Sequence, residues 1–182
     1  MKRSCLIILL SVFAGLVFTA VHADTVLRRT TLLVHDLDRS IDFYASLGLK
    51  PFYDAQSQAT ADETVIGGAD LPLAGEPTAS RIVILIGPDD DTGMIGLLAY
   101  TEPPLSEARR TLDGLGRGDV VLMFYVDDIQ ATFGALQGAG TRFHRRPYPY
   151  EVRNNQGELR SAGWRMFAYD PDGRLIEIAQ RD

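Results

Sequence analysis

An internal repeat is the feature that most limits what this chain can fold into. The stretch VHDLDRSIDFYASLGL, Val34–Leu49, returns in degenerate form as VDDIQATFGALQGAGT, Val126–Thr141. A shift of 92 positions superimposes Val34 on Val126, Asp36 on Asp128, Leu37 on Ile129, Ser40 on Thr132, Ile41 on Phe133 and Gly48 on Gly140. In both copies an apolar strand, Thr30–Val34 or Val120–Val126, runs into an Asp placed to cap a helix, where a carboxylate can accept from the free amides of the first turn. Apolar residues then recur at helical spacing, Ile41, Tyr44 and Leu47 against Phe133, Leu136 and Ala139. A glycine able to turn left-handed ends each helix.

The distal halves repeat as well. RIVILIGPDDDTGMIGLLAY and WRMFAYDPDGRLIEIAQ each read as two strands around a turn rich in Pro and Asp, the signature of a hairpin. Between helix and hairpin, Lys50–Asp54 and Arg142–Tyr150 read as single strands. Each half is therefore β-α-β-β-β, and a period of 92 residues is too long for a solenoid. The expected fold is α+β, two repeated modules forming a curved mixed sheet around a central cleft. Residues 24–182 form a single domain, with module one at 24–101, a linker at 102–118 and module two at 119–182.

Residues 1–23 stand apart from that pattern. Lys2 and Arg3 give a short positive region, Cys5–Thr19 an apolar run, and Val21–Ala23 a small-residue cleavage site, together the layout of a secretory signal peptide. The apolar run is shorter than the roughly 18 to 20 residues that span a bilayer. Removing 23 of 182 residues leaves 159 and moves the net charge from −6 to −8. The mature chain is expected in the periplasm or medium, without cysteine and so without disulfide, thiolate nucleophile or cysteine-ligated metal. Its acidity argues against nucleic acid and anionic membrane as partners.

The segment LLVHDLDRSIDFYASLGL resembles the opening signature, and YDPDGRLIEIA the closing signature, of the vicinal oxygen chelate superfamily, which includes glyoxalase I, extradiol dioxygenases and the fosfomycin and bleomycin resistance proteins. The resemblance spans Val26–Gln180. It implies paired modules whose cleft, in the enzymes, holds a divalent metal. The four ligand positions it implies fall on Arg29, Gly96, Val121 and Glu177. Only Glu177 can coordinate, since arginine stays protonated and the other two carry no donor. Asp119 could point to the same side and join Glu177 as a hard-cation site. His35 and His144 stand alone. Leu33 replaces the arginine that resembling glutathione-dependent sequences carry, so that chemistry is not implied.

Alternation along the strands, with the family's orientation, places Arg29, Thr31, Met123, Tyr125, Arg165, Phe167 and Glu177 in the cleft as ligand-binding candidates. Arg29 and Glu177 are expected to form an ion pair where the metal would sit. Six arginines between Arg142 and Arg165, interleaved with Tyr148, Tyr150 and Trp164, form either a receptor for an anionic aromatic ligand or an exposed edge hairpin. Gln56–Ser80 is either a lid or a surface loop. The reading is an exported, glyoxalase- and bleomycin-resistance-like domain, expected as a homodimer, that binds a small anionic or aromatic molecule without the standard metal. Two alternatives stand beside it. One is a lyase, isomerase or dioxygenase with an unorthodox divalent metal, or with acid-base catalysis by Glu177. The other is a dimerisation scaffold.

Overall fold

The structure is a computed structural model and describes residues 27–59, 71, 73–88, 93–107 and 115–181. The expected signal peptide lies outside the described residues. The elements are β1 (Arg29–Leu33), α1 (Leu37–Ala45), β2 (Lys50–Gln58), β3 (Ala79–Ile86), β4 (Met94–Thr101), β5 (Leu122–Tyr125), α2 (Ile129–Gly138), β6 (Phe143–Arg153), β7 (Leu159–Tyr169) and β8 (Leu175–Arg181). The fold is α+β, with the β-α-β-β-β order repeated. Its strands form two four-stranded mixed sheets, one per module, ordered β1-β4-β3-β2 and β5-β8-β7-β6. In each sheet the first strand runs parallel to the last, and the other pairs are antiparallel.

The repeated local signals act as their chemistry requires. Asp36 accepts from the Arg39 amide at 3.0 Å, and Asp128 from the amides of Gln130 and Ala131 at 2.9 Å. Gly48 and Gly140 take φ of 95° and 75° beyond the helix ends, a region open to glycine at little cost. Strand limits differ from expectation. Pairing with β3 carries β2 on to Gln58, and pairing with β7 carries β6 on to Arg153.

One core serves both modules. Leu32, Phe43, Tyr44, Leu85 and Leu97 join Leu136, Met166, Ile176 and Ile178 in a single buried cluster, each worth roughly 1.5–3 kcal/mol of transfer free energy. The Tyr44 ring of α1 lies 5.9 Å from the Phe124 ring of β5. The β7–β8 turn then fastens the modules together. Asp170 is buried and accepts from the Tyr44 hydroxyl at 3.1 Å, from Arg174 Nη1 at 3.1 Å, and from the amides of Asp172 and Arg174. Asp172 accepts from the His35 amide at 3.0 Å, and Arg174 Nη2 donates to the Leu33 carbonyl. A carboxylate this deeply buried needs such donors, because its bare desolvation would cost several kcal/mol. Burial first, and then the Asp170 charge, push the Tyr44 phenol far above its ordinary value. Burial pulls the Arg174 guanidinium down, but Asp170 and Asp172 outweigh it and raise the group.

Candidate functional site

Each sheet turns one face to the common core and leaves the other free of it. In the second sheet Leu122, Phe124, Met166, Ala168, Ile176 and Ile178 belong to the core. Alternation therefore puts Met123, Tyr125, Arg165, Phe167 and Glu177 on the opposite face. Met123, Glu177 and Phe167 stand abreast on neighbouring strands, and Tyr125, Ala179 and Arg165 form the next row. Met123 and Tyr125 are 45% and 49% exposed.

The carboxylate at the centre of this face is held differently from expectation. Glu177 is paired with Arg165, not with Arg29: Arg165 Nε lies 3.0 Å from Glu177 Oε1, with the two side chains 23% and 20% exposed. The Nε–H direction misses the oxygen, so the contact is an ion pair without a well-formed hydrogen bond. The cause is register. Arg165 pairs with Ala179, two residues from Glu177 on the same face of β8, which is the diagonal reach of a long side chain. Arg165 also lies 4.2 Å over the Tyr150 ring, and Arg181 stacks 4.0 Å over Tyr125 while donating to its hydroxyl at 2.6 Å.

On the first sheet, β1 lies parallel to β4 with Arg29 beside Met94 and Thr31 beside Gly96. A Cβ placed on Gly96 would sit 3.0 Å from Thr31 Oγ1, 3.2 Å from Arg29 Cδ and 3.4 Å from Arg29 Nε. The Arg29 side chain thus folds across β4 into the space that a side chain at 96 would fill. Further along the same face, Leu73 and Leu105 pack on Ile82, Leu98 and Tyr100 in a small second cluster. The Tyr100 hydroxyl is buried there without a hydrogen-bond partner among the described residues, and burial raises its pKa. Part of the segment Gln56–Ser80 therefore rests on this sheet through Leu73, while its ends belong to β2 and β3. Residues 60–70 lie outside the described residues.

The remaining candidates do not join the site. Val121 precedes β5 and is 38% exposed. Asp119 lies in a turn and accepts from the Gly116 amide at 2.6 Å, so it is not placed beside Glu177 by the strand register. His35 contributes its backbone amide to Asp172, and His144 stands edge-on to Phe167 and Tyr169. Among the described residues no three His, Cys, Asp or Glu side chains converge. A guanidinium at 29, a bare backbone at 96, an apolar residue at 121 and a paired carboxylate at 177 are not a donor set for the divalent metal of the family's enzymes.

The arginine-rich hairpin is engaged by its own chain. Arg142 stacks on Tyr169 at 3.6 Å, Arg145 on Tyr148 at 3.5 Å and Arg165 on Tyr150, while Arg146 stands 5.6 Å from the Phe133 ring. Arg153 and Arg160 pair with Glu151 and Glu158 at 2.7 and 3.1 Å. These contacts favour the edge-hairpin reading. Sequence reasoning missed the Arg165–Glu177 pair, although both residues sit in the closing hairpin and a register count would have put them diagonally opposite. A cavity of about 360 Å³ opens elsewhere, between the C-terminal ends of α1 and α2 over Phe43, Leu136 and Tyr169. Its lining includes none of the seven cleft candidates, and from the arginine-rich hairpin only Arg142.

The chain belongs to the Glyoxalase/Bleomycin resistance protein/Dioxygenase superfamily, whose family model matches residues 26–178. Among solved structures, a glyoxalase family protein from Bacillus cereus superposes with a TM-score of 0.64 at 21% identity, over 89% of this chain and 99% of that one. Glyoxalase I from Zea mays superposes with a TM-score of 0.51 at 21% identity, over 86% of this chain and 44% of that one. At such identities the likeness is one of fold. No curated protein matches the sequence.

Proposed function

We propose that the protein is an exported binder of a small molecule, in which the free sheet faces form the ligand site and no metal is required. The observation that carries this reading is the conversion of the metal positions: Arg29 and Thr31 fill the seat over Gly96, and Arg165 engages Glu177. Each free face then carries fixed charge, Arg29 on the first sheet and the Arg165–Glu177 pair on the second, where Met123, Tyr125 and Phe167 form an apolar and aromatic border. Such a mixture suits a small ligand with one aromatic or apolar part and one anionic part. Leu33, Met123 and Tyr125 leave apolar area open on these faces, 41%, 45% and 49% exposed. A second copy of the chain docking there would cover that area, and we assign the working form as a homodimer. The signal-like residues 1–23 assign the protein to the periplasm or medium, and its net negative charge disfavours nucleic acid as a ligand.

A thermal-shift screen of neutral, anionic and aromatic small molecules against the mature, chelator-treated protein tests the reading. Hits that persist after chelation, and that weaken in Met123→Ala and Phe167→Ala, support it. Hits that appear only after a divalent metal is added back would replace it with the enzyme alternative.

A further inference from the structure

We infer that Arg29, Thr31 and the bare backbone of Gly96 form a receptor for the carboxylate group of a small monoanionic ligand. The inference rests on the reading of the sheet faces as a ligand site and names the chemistry of the ligand. Arg29 stands beside Met94 in the parallel pair, yet its Cδ and Nε lie over Gly96, two residues further along β4. The side chain is therefore laid along the sheet and not extended from its edge. Glycine makes this possible, since even one added carbon would press on both Arg29 and Thr31.

Neither side chain is engaged by another described residue. Arg81 is held by Asp54 and Asp38, Arg174 by Asp170 and Asp172, and Arg165 by Glu177. No described residue pairs with the Arg29 guanidinium or accepts from the Thr31 hydroxyl. A guanidinium and a hydroxyl without partners among the described residues, over a residue with no side chain, offer a two-pronged donor fork and a third donor. That arrangement matches the two oxygens of a carboxylate. Met94 and Leu98, both buried on the same face of β4, give the place an apolar floor, while Arg29 itself is exposed and within reach of a ligand. A single guanidinium at this place, in a mature chain of net charge −8, selects a single negative charge and disfavours a polyanion.

The test is calorimetric titration of the mature protein with benzoate, pyruvate and lactate, each against its neutral amide. At least one carboxylate is expected to bind about tenfold or more tightly than its amide, a difference of about 1.4 kcal/mol. Arg29→Met should abolish that preference. Gly96→Ser, which fills the seat, should weaken carboxylate binding about tenfold while the urea midpoint stays within error of the parent. A preference that survives Arg29→Met, or three carboxylates that bind no better than their amides, overturns the receptor. Neutral hits from the wider screen in that event leave the small-molecule reading standing. A screen with no hits of any charge removes both.

Discussion

Arg165 lends its charge to Glu177 and its flat face to Tyr150. Because both partners of the ion pair are about four-fifths buried, Glu177→Gln leaves a largely desolvated guanidinium without its counter-charge. A loss of about 1–2 kcal/mol is expected, below the ~3–5 kcal/mol of fully buried pairs. Arg165→Met combined with Glu177→Leu should recover much of it, and a double-mutant cycle by urea unfolding measures the coupling. Strictly additive effects would show that the pair contributes nothing of its own. At this scale the sequence was legible in part. Alternation gave the face on which Arg165, Phe167 and Glu177 stand, since it depends only on strand geometry. It could not give the partner of Glu177, which is decided by the β7–β8 register, nor the bend of Arg29 over Gly96, which is decided by an absent side chain on another strand.

At the scale of elements, the β7–β8 turn and α1 act as one clamp, and its chemistry makes a pH prediction. Tyr44 has an ordinary pKa of 10.0 that burial and Asp170 raise in the folded state. Its stabilising contribution is therefore complete below pH 10 and is lost as pH rises above it, because only the unfolded chain releases the proton. From this group alone, stability should fall above pH 10 with a slope approaching ~1.4 kcal/mol per pH unit. Tyr44→Phe should cost about 1 kcal/mol at neutral pH and flatten that alkaline slope, as followed by urea unfolding at pH 8 to 11.5. An unchanged slope would place Tyr44 outside the clamp. A second expectation concerns β7, where Gly163 has φ of 146° and a Cβ would meet the Gln180 carbonyl oxygen at 2.0 Å. Gly163→Ala forces backbone to move and should destabilise by about 2–3 kcal/mol, read from the urea midpoint. The helix caps at Asp36 and Asp128 were legible because a cap is a local signal. The full lengths of β2 and β6 were not, since a strand ends where its neighbour stops pairing.

For the whole molecule, two measurements address export and metal content. The residues at Val21–Ala23 set the expected mature start at Asp24, and intact mass of the exported protein checks it; retention of residues 1–23 would contradict it. The donor set at Arg29, Gly96, Val121 and Glu177 predicts less than about 0.1 divalent metal per chain after dialysis, a threshold taken from the dependence of affinity on ligand count. Near-stoichiometric zinc, nickel, manganese or iron by elemental analysis would overturn it. The repeat made the two-module architecture readable from sequence because it recurs at one offset. It did not reveal that the two halves share one core, because helical periodicity marks which residues are buried and not which half they meet.

That clamp also bears on how such a chain can have arisen and whether it could revert. A duplicated gene begins with two interchangeable halves, each able to pair with a copy of itself. Here Asp170 of the second half relies on the hydroxyl of Tyr44 in the first, and the residue at the equivalent place in the second half is Leu136. Two copies of module two alone would bury that acid against a hydrocarbon side chain, with one donor fewer. The halves are therefore not interchangeable at this place: a symmetric pair of module-two copies would lack the hydroxyl that Asp170 uses.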